Sequence, residues 1–158
     1  MKANKINQYI EDAQITDLRE LLGDRLYTDI VTNPTKTDDG SYPALLDGGN
    51  YTYSGDTYPN PGLKAVLIDF AWARYRMFGN DTDTPFGEVV KRTQDGINTS
   101  EERNRQAYSA VRKVAFSKWA MVRDYLDRNS SDYTYWYGER GRIDDDEDLI
   151  NINKVTLR

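Results

Sequence analysis

Apolar residues recur at helical spacing along two long stretches of the chain, and between and around those stretches the period is lost or changes to two. Leu63, Val66, Leu67, Ile68, Phe70, Ala71, Trp72, Tyr75 and Phe78 predict a helix from Asn60 to Phe78. Asn60 stands as its N-cap and Pro61 at its first position, where a missing N–H costs nothing, and Gly79-Asn80 predicts a left-handed close. Within it only Lys64, Asp69, Arg74 and Arg76 are charged, so this helix is expected at the centre of a bundle with little of its surface in water. Tyr108, Val111, Val114-Ala115, Trp119, Val122 and Tyr125-Leu126 form a narrower stripe, predicting a second helix from Thr99 to Arg128 that seats against the first, opened by a Thr99/Glu102 capping box.

The remaining segments are shorter. Ile6, Tyr9, Ile10 and Ala13 fit a short amphipathic helix or an extended arm. The spacing of Ile15, Leu18, Leu21-Leu22, Leu26 and Ile30 predicts a helix from Asp17 to Val31, with Asp17 as N-cap and Glu20 completing a capping box, interrupted at Gly23 and closed at Asn33-Pro34. Tyr42 to Leu46 predicts a single helical turn stopped by Gly48-Gly49. Tyr51, Tyr53 and Tyr58 flank Ser54-Gly55-Asp56 in two β-prone runs, predicting a hairpin over about 49–58. Two strands alone are marginal in water, so the hairpin needs a surface to lie on, and in an oligomer a neighbour can supply it. From about 80 to 98 the expectation is an extended loop: polar through Thr84, a turn at Pro85-Phe86-Gly87, then a strand or arm containing Val89, Val90, Lys91 and Arg92. This loop either reaches a neighbouring subunit or folds on its own helices.

Beyond Arg128, Tyr133-Thr134-Tyr135-Trp136-Tyr137 puts four aromatic rings into five residues outside any helical pattern. That strip either folds back on the bundle or enters a pocket on another chain. An acidic run, Asp144 to Asp148, leads to an alternating segment, Leu149 to Leu157, in which Ile150, Ile152, Val155 and Leu157 are apolar. A lone strand has too little core to stand by itself and is expected to add to a sheet edge, in this subunit or another. The fold class is therefore mainly α: a helical bundle with two long central helices, a small hairpin, an extended loop and a C-terminal strand. Residues 1–138 form the domain and 139–158 the acidic link and strand.

Composition narrows the chemistry. The 158 residues contain no cysteine and no histidine, which removes disulfides, thiolate sites, and the commonest general base and metal ligand together. No P-loop, dinucleotide fingerprint or serine elbow occurs. Counted from Asp144, the sixth and twelfth positions of a calcium loop would be Leu149 and Val155 instead of Gly and Glu. No cofactor, metal or catalytic residue is therefore assigned, and an enzyme is not expected. A net charge of −5 argues against sequence-independent nucleic-acid binding as the main role. The basic residues of the second long helix, Arg103, Arg105, Arg112, Lys113, Lys118, Arg123 and Arg128, read either as a DNA-facing stripe or as a solvated face paired with acids such as Asp124 and Asp127. No apolar run has the length of a signal or a membrane span, so a soluble protein in a cytoplasm-like setting is expected. Twelve tyrosines against four phenylalanines favour half-exposed, interface-type aromatic surfaces.

The order Tyr9-Ile10-Glu11-Asp12-Ala13-Gln14, Asp17-Leu18, Leu22-Gly23, Leu26-Tyr27, Leu45-Leu46-Asp47-Gly48-Gly49-Asn50-Tyr51, Gly62-Leu63-Lys64, Ala73-Arg74-Tyr75, Phe86-Gly87 and Lys91 resembles the head-tail connector, or neck adaptor, proteins of tailed bacteriophages, particularly those of crAss-like phages infecting Bacteroides. The resemblance implies a virion subunit, made in the host cytoplasm, that forms a homo-oligomeric ring, usually of twelve. Such a ring docks to the portal protein, extends the DNA channel without sequence-specific binding, and offers further neck or tail proteins an attachment surface. By analogy residues 133–158 would order on binding the portal or the next ring. The alternative class is a small adaptor or regulatory domain with weak DNA contact through the basic helix.

Overall fold

The computed structural model describes residues 2–38, 40–78, 81–84, 87–90 and 101–138. The first helical run is longer than its capping signals suggest: α1 (Lys2–Ala13) passes through a π-helical turn (Gln14–Leu18) directly into α2 (Arg19–Leu22). Asp17 is therefore inside the run and not an N-cap, and the expected break between Ala13 and Asp17 is absent. The apolar period simply continues through it, burying Ala13, Leu18, Leu21 and Leu22 on one side. In the π turn the Arg19 N–H reaches back to the Gln14 carbonyl, and Thr16 Oγ1 donates to the Asp12 carbonyl at 2.6 Å. Gly23, at φ +79°, ends α2, and its carbonyl accepts the Tyr27 N–H to open α3 (Asp24–Thr32). The helix stops before Asn33-Pro34 as expected.

Ser41 caps α4 (Tyr42–Asp47), its Oγ accepting the Ala44 N–H at 3.3 Å. Strands β1 (Gly49–Tyr53) and β2 (Asp56–Asn60) then form an antiparallel hairpin with Tyr51 opposite Tyr58. Ser54 and Gly55 turn it with φ of +52° and +91°, the mirror-type two-residue turn that matches strand twist. Asn60 is the last residue of β2 and is not the N-cap of the next helix. Its Oδ1 accepts the Gly62 N–H at 3.1 Å and its Nδ2 donates to the Ala44 carbonyl at 3.4 Å, so it ties hairpin, α4 and loop together. The Gly62 carbonyl accepts from Val66 to start α5 (Leu63–Phe78).

Half of the expected extended loop is a second hairpin, β3 (Asp81–Thr84) paired with β4 (Gly87–Val90). Asp-Thr-Asp-Thr has little strand propensity, which is why only a polar loop was legible there. Phe86, Lys91 and Arg92 lie outside the described residues, as do the Thr99 capping box, Gly79-Asn80 and all of 139–158. The final long helix, α6 (Glu101–Arg128), ends in a 3₁₀ turn (Ser130–Asp132).

Helices α5 and α6 run antiparallel and form the main seam of the molecule. Leu63, Val66 and Phe70 face Ala115, Trp119, Val122 and Leu126, and Leu18, Leu22, Leu26, Ile30, Tyr42, Leu45 and Tyr133 close the same core. Ala115, Trp119, Val122 and Leu126 are spaced four, three and four apart, the stripe one helix face can bury; each fully buried large side chain contributes roughly 1.5–3 kcal/mol.

Two glycines set the junction where hairpin meets bundle. A Cβ on Gly48 (φ +79°) would strike the Asn60 carbonyl and the Pro61 backbone, and one on Gly62 (φ +79°) would lie 2.5 Å from the Gly48 nitrogen and 2.7 Å from the Leu46 oxygen. Both left-handed strain and collision then oppose any side chain. Gly62→Ala is accordingly expected to cost about 2–4 kcal/mol in urea unfolding, whereas Gly55→Ala, with φ +91° but open space around it, costs only about 1 kcal/mol; equal losses at the two positions would refute the close-approach account.

Candidate assembly surfaces

The tyrosines of the first hairpin lie on their own chain. Tyr51 and Tyr58 form a cross-strand pair with ring centres 5.8 Å apart, and the guanidinium of Arg128, at the end of α6, lies 3.8 Å above the Tyr58 ring. Tyr53 and Tyr51 complete the enclosure at 5.5 and 5.9 Å. Arg128 Nη1 donates to the Tyr51 hydroxyl at 2.7 Å, and Tyr51 meets Tyr125 edge-on at 4.9 Å. The surface this hairpin needs is thus supplied by the α6 terminus of the same chain, through cation–π contact and aromatic packing.

The aromatic strip divides. Tyr133 is 1% exposed, stacked on Tyr42 at 6.2 Å, with its hydroxyl 3.1 Å from the Ser41 carbonyl it donates to and 3.0 Å from the Tyr125 hydroxyl. Burial and the Tyr125 contact hold its phenol well above the usual tyrosine range. Trp136 packs edge-on against Trp119 at 6.1 Å and donates from Nε1 to Asp127 Oδ1 at 2.7 Å. Both side chains fold back on the bundle and are not free to anchor in another chain. Tyr135 is half-buried and lines an open groove of about 500 Å³ with Asp24, Arg25, Thr28, Asp29, Thr32 and Asn33, while Tyr137 is exposed.

Asp29, on the floor of that groove, is fully engaged. The Tyr42 hydroxyl donates to it at 2.5 Å, Asn33 Nδ2 at 2.8 Å and Lys36 Nζ at 3.1 Å. These hydrogen bonds, Tyr42's foremost, hold its carboxyl below the ordinary carboxylate value against the opposing effect of burial.

The basic helix is largely knitted into the fold, with different partners from those expected. Arg112 Nη1 meets Asp17 Oδ1 at 2.8 Å while Arg74 Nη2 and Nε bind Asp17 Oδ2 at 2.7 and 3.2 Å. The Arg112 guanidinium also rests over Phe70 at 5.0 Å and Phe116 at 5.3 Å. Lys118 pairs with Asp69 at 2.7 Å. The acids that meet Arg112 and Lys118 come from the π turn and α5, Asp124 acts on Arg128 of the same helix through its charge, and Asp127 accepts from Trp136.

The outer face of α5 is a surface that the periodicity did not separate from the core. Ile68 is 63% exposed, Trp72 50%, Phe78 44% and Tyr75 37%, although the helix was expected to be buried on most sides. Trp72 and Tyr75 stack at 5.1 Å, and Tyr9 of α1 meets Tyr75 edge-on at 6.3 Å. Helices α1 and α6 flank α5, and among the described residues no further helix covers this third side. The signal was present: twelve of the sixteen residues of α5 are apolar or aromatic, Ala included, more than two neighbouring helices can cover. Of the other residues singled out from sequence, Val89 and Val90 lie in β4, opposite Thr82 and Asp81, and Phe86, Lys91, Arg92, Ile150, Ile152, Val155 and Leu157 fall outside the described residues.

The architecture is that of a small helical protein whose described residues hold no cluster of metal-ligating side chains and no helix long and apolar enough to cross a membrane. Its sequence matches a family of unknown function, DUF6712, over residues 18–144, and the chain belongs to that family. No curated protein and no solved structure matches it.

Two outcomes follow from these contacts. Because a depressed carboxylate contributes stability above its unfolded pKa and loses it as pH falls through the folded value, Tyr42→Phe should cost about 2 kcal/mol at pH 7 and progressively less as pH falls below the ordinary carboxylate range through the lowered folded value; urea unfolding at neutral pH and in acid decides, and an undiminished gap in acid would contradict the assignment. Arg128→Ala should release the hairpin, raising amide exchange in β1 and β2 at least about tenfold while the α5–α6 core stays protected; unchanged hairpin exchange would show that Arg128 is not its clasp.

Proposed function

We propose that this chain is a structural subunit of a tailed-phage neck, forming a ring that docks to the portal, continues the DNA channel and supports tail attachment. The observation that carries the reading is the α5 outer face. Four large apolar side chains, Ile68, Trp72, Tyr75 and Phe78, are exposed together on one helix, and a contiguous apolar patch of that kind marks a protein-binding surface. The sequence resemblance to connector proteins supplies the identity of the assembly; the helical fold and its two small hairpins are compatible with it. The ring lies in the virion neck, its partners are further copies of the chain, the portal and neck or tail proteins, and no catalysis is involved.

The DNA-contact alternative has less support. Arg112, Lys118 and Arg128, three of the cations that would form the stripe, are engaged by Asp17, Asp69 and the hairpin tyrosines, and drawing them to phosphates would break those contacts. A catalytic reading is weaker still, since both acids lining the groove beside Tyr135 are already paired, Asp24 with Arg19 and Asp29 with Tyr42.

Mixed with the portal protein, the purified chain should form annular particles by negative-stain electron microscopy. Trp72→Glu should abolish them while circular dichroism and melting temperature stay near wild type, because the substituted side chain is outside the core. A chain that stays monomeric with portal and is absent from purified virions would sink the proposal, and rings unaffected by Trp72→Glu would remove α5 from the interface.

A further inference from the structure

The first hairpin has two outer edges, and they are not equivalent. In a hairpin closed by two residues, the pair flanking the turn, Tyr53 and Asp56, is hydrogen-bonded, and such pairs alternate with pairs whose N–H and C=O groups point away from the partner strand. With the observed register, Asn50 opposite Pro59 and Thr52 opposite Thr57, the outward groups of β1 belong to Asn50 and Thr52. Those of β2 belong to Thr57 and Pro59. Proline has no N–H, so the outer edge of β2 is short of a donor and is blunted against further pairing. Both strands pack on α6, β2 through Tyr58 and β1 through Tyr51. The outer edge of β1 keeps both donors and both acceptors, Asn50 and Thr52 are exposed, and among the described residues no third strand pairs with it.

We infer that the outer edge of β1 is a strand-addition site whose occupant is the segment Leu149–Leu157 of the same chain. Its side-chain parity matches that of β1. Tyr51 and Tyr53 face Arg128, while Asn50 and Thr52 lie on the opposite face; the segment alternates Ile150 and Ile152 with Asn151 and Asn153. Set beside β1 in register of faces, the isoleucines extend the tyrosine side, covering Tyr53, which is 44% exposed, and the asparagines continue the polar side. The path is short. At Gly138, the last described residue, a Cβ would lie 3.7 Å from Asp127 Oδ1, and the next residue in α6, Arg128, is the one the hairpin encloses. The intervening stretch, residues 139–148, spans up to about 35 Å when extended, against roughly 17 Å for a five-residue strand. A tether of that length gives an effective concentration on the order of millimolar, favouring the segment's own hairpin over another copy's. The inference does not depend on the phage-neck reading, because it concerns the closure of the sheet within one chain.

The test uses the full-length protein. Since the chain has no cysteine, introduced pairs report alone. Thr52→Cys combined with Asn151→Cys or Asn153→Cys should oxidise to an intrachain disulfide at monomer mass, while Thr52→Cys with Ile152→Cys, on the opposite face, should stay reduced. By hydrogen exchange, the Asn50 and Thr52 amides should be protected at least tenfold relative to Thr57, and Ile150→Pro with Ile152→Pro should erase that protection without touching the core. Asn50 and Thr52 amides exchanging as fast as Thr57 would overturn the site. Disulfides found only between chains, with a yield that rises with protein concentration, would overturn the choice of occupant. Failure of portal binding or ring formation would bear on neither result.

Discussion

One carboxylate holds three parts of the chain in register. Asp17, in the π turn, is 7% exposed and bound by Arg74 from α5 and Arg112 from α6. A buried ion pair contributes little net stability compared with an apolar replacement, but losing one partner leaves a charge with no solvent, typically at about 3–5 kcal/mol. The geometry is therefore intolerant of sliding. If α1 moved by one turn along α5, Asp17 would leave both guanidiniums, and Arg112 would stand over the Phe70 and Phe116 rings with its charge less compensated. Apolar packing along the α5–α6 seam stabilises many offsets to similar degrees; the shared carboxylate selects one.

That selection determines which surfaces remain open. With α1 and α6 fixed on two sides of α5, its third side carries Ile68, Trp72, Tyr75 and Phe78 toward solvent. The α6 terminus, in turn, presents Arg128 to the hairpin, and Trp119 receives Trp136 from the returning strip. The outward face of the bundle is thus a by-product of how the inner faces are locked.

How much of this was legible in the sequence depended on whether a signal was local. Gly23, Asn33-Pro34, Gly48 and the Ser54-Gly55 turn act on their own backbone, and the elements they bound appear where expected. Asp17 and Asn60 misled for the same reason: each is a good N-cap type at a plausible position, but Asp17 bonds residues 57 and 95 positions away in the chain, and Asn60 caps a loop against α4. Spacing of apolar residues identified α5 as the most hydrophobic helix without revealing that one side of it is exposed among the described residues, because exposure depends on how many helices the rest of the chain can supply. The Tyr51, Tyr53 and Tyr58 hairpin needs a surface to lie on, which its sequence does not identify; its partner is a cation at the end of a helix 70 residues beyond Tyr58, and nothing near the tyrosines points to it.

The clasp on Arg128 has a further property. Its cation is a guanidinium, its other members are phenols, and the Asp17 and Asp29 networks use carboxylates, guanidiniums, an ammonium, a phenol and the Asn33 carboxamide. With no histidine or cysteine anywhere in the chain, no side chain ordinarily changes charge between about pH 5 and 9. The contacts that hold the fold are thus made without an imidazole or a thiol, the two side chains whose ordinary pKa lies nearest neutrality.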